Sequence, residues 1–317
     1  MRLSKILPVI GLALFVFIIA RAGPLKIVQV LSDVDLYYLL LSIGMVALVT
    51  VLKGFKWKMV IGMHGCDYRF SQSVRVWLIG ALTGIITPGR AGDLIRALYL
   101  NKHCKGLGRC ISTVVIDRAI ELAVALVFAS FGIVLFSAWF GESALLYVVI
   151  TFVVIGFALL GLMFRKSFMR RALRPIFRVF VPARHEDRMR ASFHEFYGSM
   201  GDIRKRRGSL AAVSIFSVGI WLIQILEVQI FALALGIQID YLYMLAVLSI
   251  VVIIELIPVS VSGIGTRDAF LVFSLGLIGV SPELAIALSI VYLVLGYWIN
   301  AAMGLFFWLK DPVRLRT

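Results

Sequence analysis

The sequence predicts an all-α integral membrane protein with about six full transmembrane helices and two re-entrant helical hairpins in an inverted-topology repeat. Three observations predict this fold. Hydrophobic residues make up 61% of the 317 positions, and the mean hydropathy is +1.00, which is too apolar for a soluble domain of this size. Several apolar runs reach the length of about 20 residues that a bilayer requires. Two other apolar stretches are broken by short polar segments containing Gly and Pro, and such irregular backbone is tolerated at membrane depth only where protein or water covers it.

The unbroken apolar runs are oriented by lysine and arginine, which favour the cytoplasmic side of a membrane. Basic residues stand at both chain ends, so both termini are predicted to be cytoplasmic. The N-terminal run resembles a signal peptide in composition, but the topology requires it as an uncleaved first span. The predicted spans are residues 6–22, 34–52, 110–138, 144–164, 209–235 and 284–309.

The two broken stretches are predicted to enter the membrane from opposite sides. Residues 74–101 contain the motif Thr87-Pro88-Gly89-Arg90-Ala91-Gly92-Asp93, with Arg96 after it, and have basic residues on both flanks. This stretch therefore enters and leaves on the cytoplasmic side. Residues 241–279 contain a second motif at 258–268 and have no Lys or Arg on either flank. This stretch is predicted to dip in from outside.

The order of spans and hairpins predicts one polytopic domain, residues 1–317, made of two inverted repeats. Residues 1–140 form the first repeat and residues 141–317 the second. The second includes a basic segment, 165–208, which is predicted to be a cytoplasmic loop. Its charge is expected from ordinary positive-inside loading, and the alternative is that its amphipathic part, Met189 to Ile203, binds anionic lipid. The alternative topology has about eight or nine plain spans, two of them kinked helices.

Ionisable residues at membrane depth identify a candidate site. Inserting each into the bilayer costs about 2.5–3.5 kcal/mol, so such residues are rare unless they have a partner or a function. Each hairpin's second half-helix begins after its glycines, so its N-terminus favours an anion such as phosphate, to which arginine gives bidentate hydrogen bonds. Glu121 and Glu255 are candidate proton carriers. The simpler alternative is permanent ion pairing, of Arg118 with Glu121 and of Arg267 with Asp268 or Glu255. The candidate substrate-binding residues are Thr87, Pro88, Gly89, Arg90, Gly92, Asp93, Arg96, Arg118, Gly263, Gly265, Arg267 and Asp268.

Composition and motifs argue against several other functions. The net charge of +15 follows from the basic loops, so no nucleic-acid partner is expected. Cys66, Cys104 and Cys110 lack paired metal-ligand spacing and fall in predicted cytoplasmic segments, so they are expected to be reduced. The sequence contains no nucleotide-binding loop and no metal-ligand motif. We therefore expect no metal, no cofactor and no enzymatic activity.

The broken segments resemble the signatures of a known family, the lysylphosphatidylglycerol synthase transmembrane-region family of flippase-like membrane proteins. The resemblance covers nearly the whole chain, and Asp268 stands where the family usually has Glu. The matching motifs are Lys56-Trp57-Lys58, Gly84-x-x-Thr87-Pro88-Gly89-Arg90-x-Gly92-Asp93-x-x-Arg96, Val115-Ile116-Asp117-Arg118 and Pro258-x-Ser260-x-x-Gly263-x-Gly265-x-Arg267.

The resemblance implies a plasma-membrane protein that moves lipids or lipid-linked headgroups between leaflets, with a membrane phospholipid or a polyprenyl-phosphate-linked lipid as its partner. Family members that make aminoacyl lipids carry a soluble synthase domain after this region. Only residues 311–317 follow the last predicted span here, so that activity is not implied. Alternative functions are a membrane scaffold that recruits a soluble lipid or glycan enzyme, and a lipid-phosphate transferase.

Overall fold

The computed structural model describes residues 3–104, 106–141, 186–256 and 263–312, with isolated positions between 147 and 161. This part of the chain is helical and contains no strand, which confirms the predicted all-α class. The helices are α1 (Leu3–Ala22), α2 (Pro24–Ser32), α3 (Leu36–Gly62), α4 (Phe70–Ile86), a 3-10 segment (Pro88–Leu94), α5 (Ile95–Asn101), α6 (Leu107–Phe140), α7 (Glu186–Lys205), α8 (Arg207–Ala234), α9 (Tyr241–Leu256), α10 (Thr266–Gly276) and α11 (Pro282–Lys310).

Within the described ranges, four helices are long and apolar enough to cross a membrane, namely α3, α6, α8 and α11. They coincide with four of the predicted spans. The end of α1 and the whole of α2 form a further candidate, bent by 78°, and the bend falls at Gly23, whose φ of 87° suits glycine. The predicted span 144–164 lies largely outside the described residues.

The first hairpin consists of α4, the 3-10 segment and α5. Its tip is closed by threonine hydroxyls: Gly92 N–H donates to Thr87 Oγ1 at 2.6 Å, and Thr83 Oγ1 donates to the Gly92 carbonyl at 2.8 Å. A Cβ on Gly92 would lie 2.1 Å from the Thr83 carbonyl oxygen, so only glycine fits this turn. The motif therefore folds as a turn that reverses the chain.

A disulfide joins the two ends of the first hairpin. Cys66 precedes α4, Cys104 follows α5, and their Cα atoms lie 6.0 Å apart. The hairpin therefore begins and ends at the same place, as a re-entrant segment must. The expectation that all three cysteines are reduced is wrong for this pair. That expectation rested on metal-ligand spacing and on the predicted cytoplasmic location, and it did not use the proximity of the two flanks of the hairpin. Cys110 is free and buried.

The second hairpin consists of α9 and α10, with residues 257–262 outside the described part. The hydroxyl of Tyr243, near the start of α9, donates to the carbonyl of Ser274, near the end of α10. This hairpin also begins and ends at one place. Gly263 and Gly265 have φ values of 76° and 88°, and α10 starts directly after them, with Asp268 Oδ2 accepting from Gly265 N–H at 2.8 Å.

The two hairpins approach from opposite ends of α11, which is 29 residues long, or about 43 Å. At its C-terminal end, Asp311 accepts a hydrogen bond from Tyr99 at 2.6 Å and pairs with Lys102 at 2.9 Å, so the first hairpin has its base there. At its N-terminal end, a short turn over residues 277–281 joins α10 to α11. This geometry agrees with the predicted entry from opposite sides.

Helix packing follows a matched pattern in the two halves of the chain. α4 packs on the second half of α11, α9 packs on α6, and α3 packs on α8. Glycines permit the first two contacts: a Cβ on Gly304 would lie 2.3 Å from the Leu78 carbonyl oxygen, and one on Gly132 would lie 2.9 Å from that of Ala246. Two inverted halves would pack in this way. The division of the chain into repeats 1–140 and 141–317 stays a prediction.

The described part of the basic segment, α7, packs on α6 through its aromatic face. Phe196 is fully buried, and Phe193, Tyr197 and Met200 are partly buried in the same cluster. These side chains cover the base of the first hairpin. The burial of Phe196 argues against the alternative that this face binds anionic lipid, which stays a prediction for the rest of the segment.

Candidate functional site

A cavity of about 380 Å³ lies between the tip of the first hairpin and the end of α9 in the second. Its wall includes both hairpins together with α3, α6, α8 and α11. The predicted residues Thr87, Arg90, Asp93, Arg118, Glu121 and Glu255 all line it, although they come from distant parts of the sequence. Charges of both signs surround the space: the cations are Lys53, Arg90 and Arg118, and the carboxylates are Asp93, Glu121, Glu227 and Glu255.

Arg90 occupies the tip of the first hairpin in an unusual backbone conformation. Its φ is 54°, and within the described ranges it is the one residue other than glycine with a positive φ. Such a conformation costs about 1–3 kcal/mol and clusters at functional sites. The Arg90 guanidinium lies 5.6 Å from the ring centre of Tyr297, and no described carboxylate lies at ion-pair distance from it. Arg90 therefore presents an available cation to the cavity.

A continuous chain of ion pairs fixes the first hairpin to α3 and α6. Asp117 forms an ion pair with Lys56 at 2.9 Å and accepts a hydrogen bond from Arg96 at 2.9 Å. Lys56 also lies 3.2 Å from Glu121, and Arg118 pairs with both Glu121 and Asp93. Asp117 and Glu121 are four residues apart, so they share a face of α6, and Lys56 lies between their carboxylates.

The predicted site residue Arg96 lies behind the cavity wall. It is 1% exposed, and its guanidinium sits 4.4 Å above the ring of Trp57 while it pairs with Asp117. Gly92 serves the turn described above, and Pro88 and Gly89 open the 3-10 segment. The structure therefore gives these residues positions that shape the tip, while Arg90 and Thr87 face the cavity.

Arg267 and Asp268 also lie behind the wall, at the second hairpin. Arg267 is fully buried and binds Asp268 Oδ1 through Nε at 2.9 Å and a terminal nitrogen at 2.8 Å. Ser289 of α11 donates to the same carboxylate. Glu255 reaches the cavity and lies 3.6 Å from Arg267, in space that a side chain at Gly263 would fill. The ion pairs of the simpler alternative are thus present: Arg118 pairs with Glu121, and Arg267 pairs with Asp268 and Glu255.

Two tyrosines that sequence reasoning missed complete the site. Tyr292 and Tyr297 belong to a π-helical segment of α11, Tyr292–Trp298. Tyr297 donates to the Glu255 carboxylate, whose oxygens lie 2.7 and 2.8 Å away, while its ring faces Arg90. Tyr297 therefore links Arg90, at the tip of the first hairpin, to Glu255 of the second hairpin. Within an apolar run, tyrosines carry no signal that separates this role from lipid contact.

Four charged residues of the ion-pair network and the cavity wall were also missed as site residues, namely Lys53, Lys56, Asp117 and Glu227. With the two lysines included, the cations of the cavity wall and of the ion pairs behind it equal the carboxylates in number. Lys53 and Lys56 directly follow the predicted span 34–52, but α3 continues to Gly62 and carries both lysines within the helix.

The family described as the lysylphosphatidylglycerol synthase TM region matches residues 6–304 of the chain. The chain belongs to this family. The match includes both hairpins and every residue that lines the cavity. The multi-pass membrane character predicted from hydropathy is thereby confirmed.

Two relatives that match over nearly their full length are archaeal membrane proteins. The UPF0104 membrane protein MJ1595 of Methanocaldococcus jannaschii is 27% identical, over 95% of this chain and 93% of its own length. The UPF0104 membrane protein PH1989 of Pyrococcus horikoshii is 21% identical, over 94% of each chain. The chain is also similar to part of a longer protein, the glycosyltransferase AglD of Haloferax volcanii. The two are 22% identical over 90% of this chain and 50% of the length of AglD.

Proposed function

We propose that this protein is a lipid translocase of the plasma membrane, and not an enzyme, with both termini in the cytoplasm. It binds the phosphate of a lipid headgroup between the two hairpin tips and moves that headgroup across the bilayer. The lipid is a phospholipid or a polyprenyl-phosphate-linked lipid. The observation that carries the proposal is the position of Arg90, an available cation at a hairpin tip that faces the cavity.

Phosphate is the ligand group that this tip favours on chemical grounds. The guanidinium of Arg90 can give two parallel hydrogen bonds to phosphate oxygens, and Lys53 adds a second cation on the facing wall without a described ion-pair partner. Arg118, by contrast, is already held by Asp93 and Glu121. A phosphate would therefore meet two cations that no described ion pair holds.

The opposed hairpins give a physical basis for movement between leaflets. Tyr297 joins Arg90 of the first hairpin to Glu255 of the second. A phosphate that binds Arg90 competes with the Tyr297 ring for the Arg90 guanidinium. Binding can shift a conformational equilibrium only by its different affinity for the two states, and this competition supplies such a difference.

The proposal is tested in liposomes that contain the purified protein and a fluorescent lipid in one leaflet. We expect the wild type to move a labelled phospholipid faster than a phosphate-free diacylglycerol glycolipid. Arg90→Gln should lose the movement of the phospholipid, because its bidentate cation is gone. Arg75→Gln is the matched control, since Arg75 is an exposed arginine of α4 outside the cavity. Equal movement of both lipids, or normal movement by Arg90→Gln, would contradict the proposal.

One comparison favours a second candidate, a membrane partner that presents a lipid-linked substrate to a separate enzyme. The relative named glycosyltransferase AglD extends well beyond the region that the chain matches. Under this alternative, substitutions at the hairpin tips leave function intact, while substitutions on the exposed face of α7 abolish it. The Arg90→Gln variant distinguishes the two candidates, because only the translocase proposal expects it to lose function.

A further inference from the structure

Glu227 of α8 is a buried carboxylate without a bonded partner among the residues that the structure describes. Its exposed fraction is 5%, and it lines the cavity. No hydrogen bond or ion pair reaches it there, and Lys53 attracts it only from beyond ion-pair distance. Burying an ionisable group in this way is costly unless a partner compensates it. The other carboxylates of the cavity all have such partners in the protein.

Two further side chains of α8 extend the wall around Glu227. Trp221, Gln224 and Glu227 follow one another at intervals of three, so they share a helix face, and all three line the cavity. The Trp221 ring is stacked on Phe128, with centres 5.5 Å apart and planes 12° apart, which fixes its orientation. The α8 wall therefore offers a carboxylate, an amide and a fixed aromatic face.

We propose that Glu227, with Gln224 and Trp221, forms a second subsite that binds a hydrogen-bond donor of the lipid headgroup. The donor is an N–H or O–H group carried beyond the phosphate, as in an ammonium or hydroxyl headgroup. This inference rests on the proposed function, which places the phosphate at Arg90. It assigns the substrate to phosphate-bearing lipids with a donor-containing headgroup and sets them apart from a bare phosphate monoester.

Binding selectivity follows from the energy of one hydrogen bond to a charged group. Such bonds contribute about 1.5–3 kcal/mol, or about 10- to 100-fold in affinity. A headgroup that lacks the donor leaves the carboxylate without its partner, and sites built for hydrogen bonding reject such ligands strongly. We therefore expect phosphatidic acid to bind at least about 10-fold more weakly than the best donor-bearing lipid.

The experiment measures binding of short-chain lipids to the full chain in detergent by isothermal titration calorimetry. The probes are phosphatidic acid, phosphatidylglycerol and phosphatidylethanolamine, which present a bare phosphate, hydroxyl donors and an ammonium donor. Glu227→Gln should bind all three with nearly equal affinity, because the anionic acceptor is gone. Asp202→Asn is the matched control, since Asp202 is an exposed acid of α7 that does not line the central cavity. The better of the two donor lipids identifies the donor as ammonium or hydroxyl.

Thermal unfolding of the same variants separates a binding role from a structural one. Removing a buried charge without a partner should leave the melting temperature of Glu227→Gln unchanged or higher. Equal affinity of the wild type for all three lipids overturns the inference, as does equal weakening of all three in Glu227→Gln or the absence of binding. Translocation is a separate readout: selective binding without movement in liposomes would contradict the proposed function and leave the subsite standing.

Discussion

The hydroxyl of Tyr297 lies 2.7 Å from one carboxylate oxygen of Glu255 and 2.8 Å from the other. This contact connects the π-helical segment of α11 to the second hairpin. The ring of the same tyrosine lies beneath Arg90 of the first hairpin. A single side chain thus contacts the cavity-facing charges of both hairpins.

Tyr297→Phe should lower the melting temperature of the detergent-purified protein. The substitution keeps the ring under Arg90 and removes the donor to Glu255, and a hydrogen bond to a charged group contributes about 1.5–3 kcal/mol. Tyr292→Phe is the matched control, because the Tyr292 hydroxyl contacts only the Tyr297 hydroxyl, at 3.5 Å, in the described structure. A smaller loss for Tyr297→Phe than for Tyr292→Phe would contradict the link.

The disulfide at the base of the first hairpin predicts one reactive thiol in the unfolded, unreduced chain. Alkylation in denaturant should add a single group, at Cys110, and three groups only after reduction. Intact-protein mass spectrometry gives this count directly. Alkylation of all three cysteines without reduction would show that Cys66 and Cys104 are not bonded.

Glu121→Gln should destabilise the protein, because it removes a carboxylate that holds both Arg118 and Lys56. Asp117→Asn should destabilise it more, since Asp117 is almost fully buried between Lys56 and Arg96. Breaking one partner of a buried pair costs about 3–5 kcal/mol. Thermal unfolding measures both effects.

The opposite outcome for Glu121 would support proton coupling, which stays a prediction for Glu121 and Glu255. In that case Glu121→Gln keeps the wild-type melting temperature and loses only the response of lipid movement to an imposed pH gradient. The ion pairs of both residues favour the structural outcome.

His64, which follows α3, predicts a loss of stability in acid. Burial, together with the positive charges of Arg109 and Arg206, lowers the pKa of His64 from 6.5 to about 4. The unfolded chain therefore takes up a proton before the folded chain does, so stability falls as pH falls from about 6.5 toward about 4. Replacing His64 with Gln should reduce this slope in melting temperature, whereas His194→Gln, at an exposed position, should leave it unchanged.

Much of the fold could be predicted because membrane insertion depends on properties that a sequence shows directly. Apolar length marks the spans that match α3, α6, α8 and α11, and the placement of Lys and Arg predicts opposed hairpins. Pro88 and the glycines mark where the helices break. These signals are local in the sequence, so they can be recognised without any knowledge of how the helices pack.

The partners of the charged residues could not be predicted in the same way. Sequence places Arg90, Arg96 and Arg267 at membrane depth, yet it does not show that only Arg90 faces the cavity. That distinction depends on helix rotation and on contacts between distant elements. The π-helical segment that presents Tyr297 depends on them as well.

The initial rate of phospholipid movement in proteoliposomes containing Arg90→Lys tests the central claim most directly. Lysine keeps the charge of Arg90 but loses the planar, bidentate guanidinium. We predict a rate at least about 10-fold below that of the wild type, with the variant still folded and inserted. The account would be contradicted if Arg90→Lys moved phospholipid as fast as the wild type. It would also be contradicted if the wild-type protein moved phospholipid no faster than protein-free liposomes do.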